Sequence, residues 1–444
     1  GPPLRTGVPD RFAPVAMSTA AFAAAPPRRV LWIIVAAQFA CTSPWFAVNA
    51  VMADLTRSLG IAPSSVGTLT SAVQVGFIAG TLVFALLAIS DRIEPRRVFL
   101  ACALAAAGLT LGAALLAPGF GTLLVLRALT GFALAGIYPV GMRIAAGWFP
   151  HGLGHALGWL VGALVLGTAL PYAVRAVGAD WPWQSVMLWI AALTAAGGAM
   201  LVLLVPPAPH LPPTPGLRLR ALRAIVADPK LRASVFGYFG HMWELYAMMV
   251  LVPAIVATRM LDFTALGSTT ASTTGAGVDA AVPGPSSAAL AGAVGSSASW
   301  IVFAAIAAGA IGCIAGGYAA RRVGSARVAF ALLATSAGCC VVAPWALHWA
   351  WPAFFAWLLL WGFAVAGDSP QFSALSARNA PPTAVGSILT LVNCFGFAIS
   401  VATIQLFVAL AGRLPLAQVL PWLAVGPVVG LAMLWPLVRG DRRG

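Results

Sequence analysis

The sequence predicts an all-α membrane protein of twelve transmembrane helices arranged as two parallel six-helix repeats. Three observations predict it. Hydrophobic residues make up 61% of the chain and charged residues only 8%, against roughly 25% charged in soluble domains. Long uncharged stretches recur, each able to cross a hydrocarbon core of about 30 Å at about 1.5 Å per residue. Short strings and spacings in the first half of the chain return in the second.

The spans read from hydropathy are helix 1 over 30–52, helix 2 over 65–89, helix 3 over 98–117, helix 4 over 122–146, helix 5 over 154–176 and helix 6 over 185–205. The second set is helix 7 over 232–258, helix 8 over 298–319, helix 9 over 327–349, helix 10 over 352–376, helix 11 over 385–410 and helix 12 over 417–438. Turn signals at Pro118-Gly119, Pro206-Pro207 and Pro381-Pro382 separate neighbours. The apolar run after Arg28-Arg29 reaches about Met52, too long for a signal-peptide core, and is read as an uncleaved first span. The first methionine is Met17, so residues 1–16 read either as an upstream extension or as a remainder foreign to the native chain.

Charge orients the spans. With the N-terminus placed in the cytoplasm, 20 basic residues fall on the inner side and 4 on the outer, with Arg127 left inside helix 4. The positive-inside bias supports the span count as well as the orientation, because one miscounted helix would destroy the alternation. The net charge of +14 is scattered through short loops, which does not make a nucleic-acid surface. The expected location is a bacterial inner membrane with both termini cytoplasmic, with the lipid bilayer as a partner and the chain a monomer. The six cysteines lie in apolar stretches without a CxxC, so neither a disulfide framework nor a zinc site is supported. There is no Walker A motif, dinucleotide fingerprint or catalytic triad. No cofactor, no metal and no enzyme activity are expected.

The internal repeat rests on register. Gly131-Phe132-Ala133-Leu134-Ala135-Gly136-Ile137-Tyr138-Pro139 in helix 4 matches Gly362-Phe363-Ala364-Val365-Ala366-Gly367-Asp368-Ser369-Pro370 in helix 10 at six of nine positions, 231 residues apart. Asp91-Arg92 aligns on Arg321-Arg322 at an offset of 230, and Trp45 on Trp243 at 198. The difference predicts an insertion of about 33 residues between helices 7 and 8. The Ser/Thr/Gly/Ala-rich stretch at about 262–296 supplies it, and its composition predicts disorder. The units are a cytoplasmic N-terminal segment (1–29), an N-terminal bundle (30–205), a cytoplasmic linker (206–231), a C-terminal bundle (232–438) with its extracellular insertion, and a cytoplasmic tail (439–444). Six spans per half put the second half through the membrane in the same sense as the first.

Ionisable residues inside spans are costly and read as functional. Arg127 in helix 4, Glu244 in helix 7 and Asp368 in helix 10 are the clear cases. A carboxyl removed from water favours its protonated form, so Glu244, together with Asp368, is a candidate proton or substrate-cation site. The other reading is a structural interhelical pair. His241 and Glu244 share a helix face at H-x-x-E spacing, which suits a proton relay or a satisfied polar residue and lacks the further ligands of a metal site. Trp45, Asn49, Tyr138, Tyr246 and Gln371 are polar or amphipathic candidates for substrate contact, with packing the rival reading.

The loop after helix 2, Asp91-Arg92-Ile93-Glu94-Pro95-Arg96-Arg97, resembles the major facilitator signature G-x-x-x-D-R-x-G-x-R-R/K, with Leu87 and Glu94 at its two glycine positions. The second copy keeps Gly317 and Gly324 but has Arg321 at the acidic position, and Arg127-x-x-x-Gly131 resembles a further element of the family. The resemblance covers about residues 30–438. It implies the major facilitator fold, helices 1, 4, 7 and 10 around a central cavity, and a gate formed by Asp91, Arg92, Arg96 and Arg97, in which the Asp91 carboxylate meets the positive end of helix 11. It also implies secondary active transport of a small polar or charged solute by alternating access, with proton coupling preferred. A non-transporting sensor or partner subunit on the same fold is the alternative. Trp45-Phe46-Ala47-Val48-Asn49, His241-Met242-Trp243-Glu244-Leu245-Tyr246 and Asp368-Ser369-Pro370-Gln371 resemble bacterial members grouped with nitrate/nitrite porters. The arginines that hold the anion there, in helices 2 and 8, have no counterpart here.

Overall fold

The computed structural model describes residues 28–440 apart from 117–118, 150–152, 210, 212–216, 219 and 274–286. Among the described residues twelve helices are long and apolar enough to span a membrane. They are α1 (Arg29–Ala50), α2 (Ser65–Leu86), α3 (Pro95–Leu115), α4 (Phe120–Trp148), α5 (Ala156–Val177), α6 (Trp183–Leu204), α7 (Pro229–Leu261), α8 (Gly295–Val323), α9 (Ser325–Ala346), α10 (Trp351–Asn379), α11 (Val385–Ala411) and α12 (Leu416–Arg439). No strand occurs among them. In a bilayer this follows from backbone chemistry, since each N–H and C=O needs a partner inside its own segment.

The polar stretch expected to be disordered behaves differently in part. The helix of α7 continues to Thr273 and that of α8 begins at Ser287. Residues 274–286 lie outside the described set. A short helix, Ala221–Ala227, precedes α7, and the backbone N–H of Arg218 donates to Ser387 Oγ at the start of α11, 3.0 Å away.

Within each half, glycines set how closely helices cross. A Cβ placed on Gly131 of α4 would stand 1.8 Å from the Val73 carbonyl oxygen of α2. A Cβ on Gly362 of α10 would stand 1.8 Å from the Ala305 carbonyl oxygen of α8. The two glycines are repeat equivalents, so the matched strings mark the α2–α4 and α8–α10 crossings, where only a missing side chain permits backbone contact.

The same strings break their helices. The helical run of α4 stops at Leu134 and restarts at Tyr138, and that of α10 stops at Gly367 and restarts at Ser369. Pro139 and Pro370 sit in the first turn of each restarted segment. Proline lacks the N–H and its ring collides with the carbonyl four residues earlier, opening the ladder. In α10 the Ala366 carbonyl next to the break accepts from Cys313 Sγ of α8 at 3.2 Å. A third break lies in α1, where Ser43–Phe46 forms a 3₁₀ turn with Pro44 in it.

The halves meet along two helix pairs, α5 with α8 and α2 with α11. On the α2–α11 seam the joining contacts lie toward the face opposite the chain ends. Gly67 faces Val408, Gln405 Nε2 donates to Ser71 Oγ at 2.9 Å, and Ser400 Oγ donates to Gln74 Oε1 at 2.9 Å. Phe77 packs on Phe397 with centroids 4.8 Å apart.

Candidate functional site

Between the bundles lies a central cavity of about 40 Å³. The N-terminal bundle contributes Trp45 from α1, Tyr138 from α4 and Thr168 from α5. The C-terminal bundle contributes Tyr238, Met242 and Tyr246 from α7, Ser369 and Ser373 from α10, and Asn393 and Phe397 from α11. Tyr138 and Ser369 are repeat equivalents, each the first residue of its restarted segment. The proline breaks therefore deliver one hydroxyl from each bundle to the same space.

Aromatic rings close the cavity on the side of the α2–α11 seam. Trp45 stacks on Tyr246 with centroids 5.9 Å apart and planes 19° apart, and on Phe397 at 5.6 Å and 29°. Phe46 lies nearly parallel to Tyr246 at 6.4 Å and 6°. These contacts join rings from opposite bundles and form a seal that has to part for the cavity to open that way.

The charged candidates are buried elsewhere. Arg127 is 1% exposed and turns to α1, donating from Nη1 to the Pro44 carbonyl at 2.8 Å and from Nη2 to the Trp45 carbonyl. Those carbonyls sit in the 3₁₀ break of α1, where the regular ladder is interrupted. The guanidinium adds charged donors to the Trp45 carbonyl and to the Pro44 carbonyl, which also accepts from the Ala47 N–H, and so fixes the segment that carries Trp45.

Glu244 is fully buried inside the C-terminal bundle. Its Oε1 accepts from Trp361 Nε1 at 2.6 Å and Cys340 Sγ at 3.1 Å, and its Oε2 from Ser336 Oγ at 2.9 Å. Donors from α9 and α10 thus converge on a carboxyl from α7, and Glu244 does not line the cavity. Asn49 likewise turns within its own bundle, donating from Nδ2 to Thr70 Oγ1 of α2 at 2.8 Å. Gln371 is buried against Gly316 of α8.

Asp368 and His241 find each other. Asp368 Oδ1 lies 2.8 Å from His241 Nδ1, with the two side chains 0% and 1% exposed. The approach is close without an in-line N–H···O bond. Asp368 occupies the break of α10 directly before Ser369, and His241 directly precedes Met242. Ser369 and Met242 both line the cavity, so the pair sits one layer behind its wall. His241 also packs between the rings of Tyr238 and Phe372 at 5.8 and 5.9 Å. Among the described residues no group of three or more His, Cys, Asp or Glu side chains is placed to hold a metal ion.

Among the loop candidates, Arg96 and Arg97 find their partners within the first bundle. Arg96 donates from Nη1 to the Val205 carbonyl at 2.6 Å and pairs with Glu94 through Nε. It caps the carbonyl end of α6, where a cation is favoured. Arg97 lies 3.4 Å from Glu94 and is exposed, as is Arg92. The backbone of Asp91 belongs to the short helix Ile89–Arg92, and its side chain lies outside the described residues.

Of the residues singled out from sequence, the cavity gathers Trp45, Tyr138 and Tyr246 and leaves out Arg127, Glu244, Asn49 and Gln371. Tyr238, Ser373 and Thr168 escaped the sequence reading, having no charge and no motif to mark them. Ser369 could have been found from the repeat, since it occupies the position of Tyr138.

Nothing among curated proteins matches this chain. In solved structures the chain is similar to the human organic anion transporter MFSD10 (TETRAN), at 15% identity and a TM-score of 0.66, over 92% of this chain and 99% of that one. At that identity the likeness speaks for the fold alone. A family profile described as Major Facilitator Superfamily matches residues 34–404. Over most of its length, then, the sequence carries the pattern that the twelve-span structure displays, and the chain belongs to the Major Facilitator Superfamily.

Proposed function

We propose that this protein is a secondary active transporter that moves a small solute through the central cavity by alternating access, coupled to protons at the Asp368–His241 pair. The observation that carries the coupling is the pair's position. A carboxyl and an imidazole, both fully buried, approach to 2.8 Å at the helix break that delivers Ser369 to the cavity wall. Such a pair holds one proton more comfortably than none or two, because an unpaired charge is expensive away from water. Gain or loss of that proton changes the force between α7 and α10, two helices that line the cavity. The proton therefore acts on the moving parts rather than on the solute.

In this reading the membrane is a bacterial inner membrane with both chain ends in the cytoplasm, and the protein works as a monomer. The aromatic seal at Trp45 and Tyr246 is then the outer gate, closed here. Glu244 and Arg127 hold their bundles together. The test is solute uptake in proteoliposomes with and without an inward proton gradient. Asp368→Asn is expected to abolish gradient-driven accumulation and to leave exchange of solute across the membrane. Unaltered gradient-driven accumulation in that variant would reject the coupling site.

A further inference from the structure

The charge inventory of the cavity points to a substrate class. Among the described residues, none that lines the cavity is Asp, Glu, His, Lys or Arg. The buried ionisable groups nearby are engaged within one bundle: Arg127 by the Pro44 and Trp45 carbonyls, Glu244 by three donors and Asp368 by His241. An ion entering this space would shed its water and find no counter-charge, which is strongly unfavourable. What the wall does offer is hydroxyls, an amide and aromatic faces.

Two features sharpen the class. Trp45, Phe46, Tyr246 and Phe397 present rings from opposite bundles at small interplanar angles, an arrangement that receives a flat apolar face as the bundles part. Trp45 lines the cavity, is 1% exposed, and its indole N–H has no partner. Buried donors are normally satisfied, and a solute carrying an acceptor would satisfy this one. The present cavity of about 40 Å³ holds little more than water, so a ring enters only when the aromatic stack separates.

We infer that the central site takes an uncharged, flat amphipathic solute bearing hydrogen-bonding oxygen or nitrogen, and discriminates against ions of either sign. The inference rests on the transport reading for its location at the substrate site.

The test uses purified full-length protein and three probes with one ring in common: neutral 4-hydroxybenzyl alcohol, anionic 4-hydroxybenzoate and cationic tyramine. Binding is followed by thermal stabilisation and titration calorimetry. The alcohol is expected to bind at least tenfold more tightly than either ion. Trp45→Phe, which keeps a ring and removes the N–H, is expected to weaken the alcohol about five- to tenfold, the loss of one hydrogen bond. Asn393→Asp places a carboxylate in the wall and is expected to admit tyramine at the expense of the alcohol. Binding of an ion as tight as that of the alcohol in the native protein overturns the inference, as does failure of all three probes to bind. An unchanged affinity in Trp45→Phe together with continued exclusion of tyramine by Asn393→Asp also overturns it. Flux assays in proteoliposomes separate the two claims. An alcohol that binds at this site and does not cross rejects transport, whereas an ion that binds and crosses rejects only the substrate class.

Discussion

Arg127 Nη1 lies 2.8 Å from the carbonyl oxygen of Pro44, so a cation on α4 completes the hydrogen bonding of a broken turn in α1. A fully buried arginine in an apolar helix looks like a substrate site in a one-dimensional reading. In three dimensions it is the support for the segment that carries Trp45 into the cavity.

Removing that support takes a charged donor from each of two buried carbonyls, of which that of Pro44 keeps the Ala47 N–H. A hydrogen bond to a charged group contributes about 1.5–3 kcal/mol, so Arg127→Gln is expected to lower stability by roughly 2–4 kcal/mol. Arg127→Lys is expected to recover part of this, because a single ammonium reaches one carbonyl well and cannot fork to both. Thermal unfolding of the purified variants reads the order native, Lys, Gln. Equal stability of all three would show that the guanidinium does not hold the break.

The paired crossing glycines predict a contrast. Gly131→Ala and Gly362→Ala each drive a methyl into a backbone carbonyl and are expected to destabilise by about 1–3 kcal/mol or more. Gly108→Ala and Gly338→Ala place the same methyl in open space and are expected to be neutral or slightly stabilising. Expression level and melting temperature of the four variants check it, and a similar loss in all four would contradict the crossing argument.

The two buried carboxyls are expected to separate in function. Glu244→Gln keeps an acceptor oxygen for Trp361 Nε1 and Cys340 Sγ and turns a donor NH2 toward Ser336 Oγ, so proton-driven uptake is expected to survive with reduced stability. Asp368→Asn is expected to lose that uptake while remaining folded. Uptake measured at several pH values distinguishes them. Retention of the native pH profile by Asp368→Asn, or its disappearance in Glu244→Gln, would reverse the assignment.

Closure of the seam between bundles can be locked. Ser71 and Gln405 are hydrogen-bonded across α2 and α11 at 2.9 Å, so the double variant Ser71→Cys, Gln405→Cys is expected to be bridged by a short, reducible bifunctional methanethiosulfonate reagent. Uptake is expected to fall more than tenfold when cross-linked and to recover on reduction. Undiminished uptake with a complete cross-link would mean that this seam does not open during transport.

Much of the architecture was legible because a bilayer reduces folding to a length rule: an apolar stretch of sufficient span must be a helix, since its backbone can find partners nowhere else. The repeat was legible too, as Gly131 and Gly362 keep register through the demands of close crossing. The charged residues did not mark the lining of the cavity. Arg127 and Glu244 stand out in an apolar sequence, yet which way a side chain points around its helix depends on neighbours far along the chain.

By itself, then, the sequence of this protein determined twelve spans and their duplicated arrangement, because these depend on local apolarity and on backbone chemistry. Only the tertiary structure decided that Asp368 meets His241, that Glu244 is enclosed by α9 and α10, and that the cavity wall is aromatic and uncharged. Those facts follow from helix rotation and bundle packing, and the energy that sets them comes from contacts between residues about ninety or more positions apart.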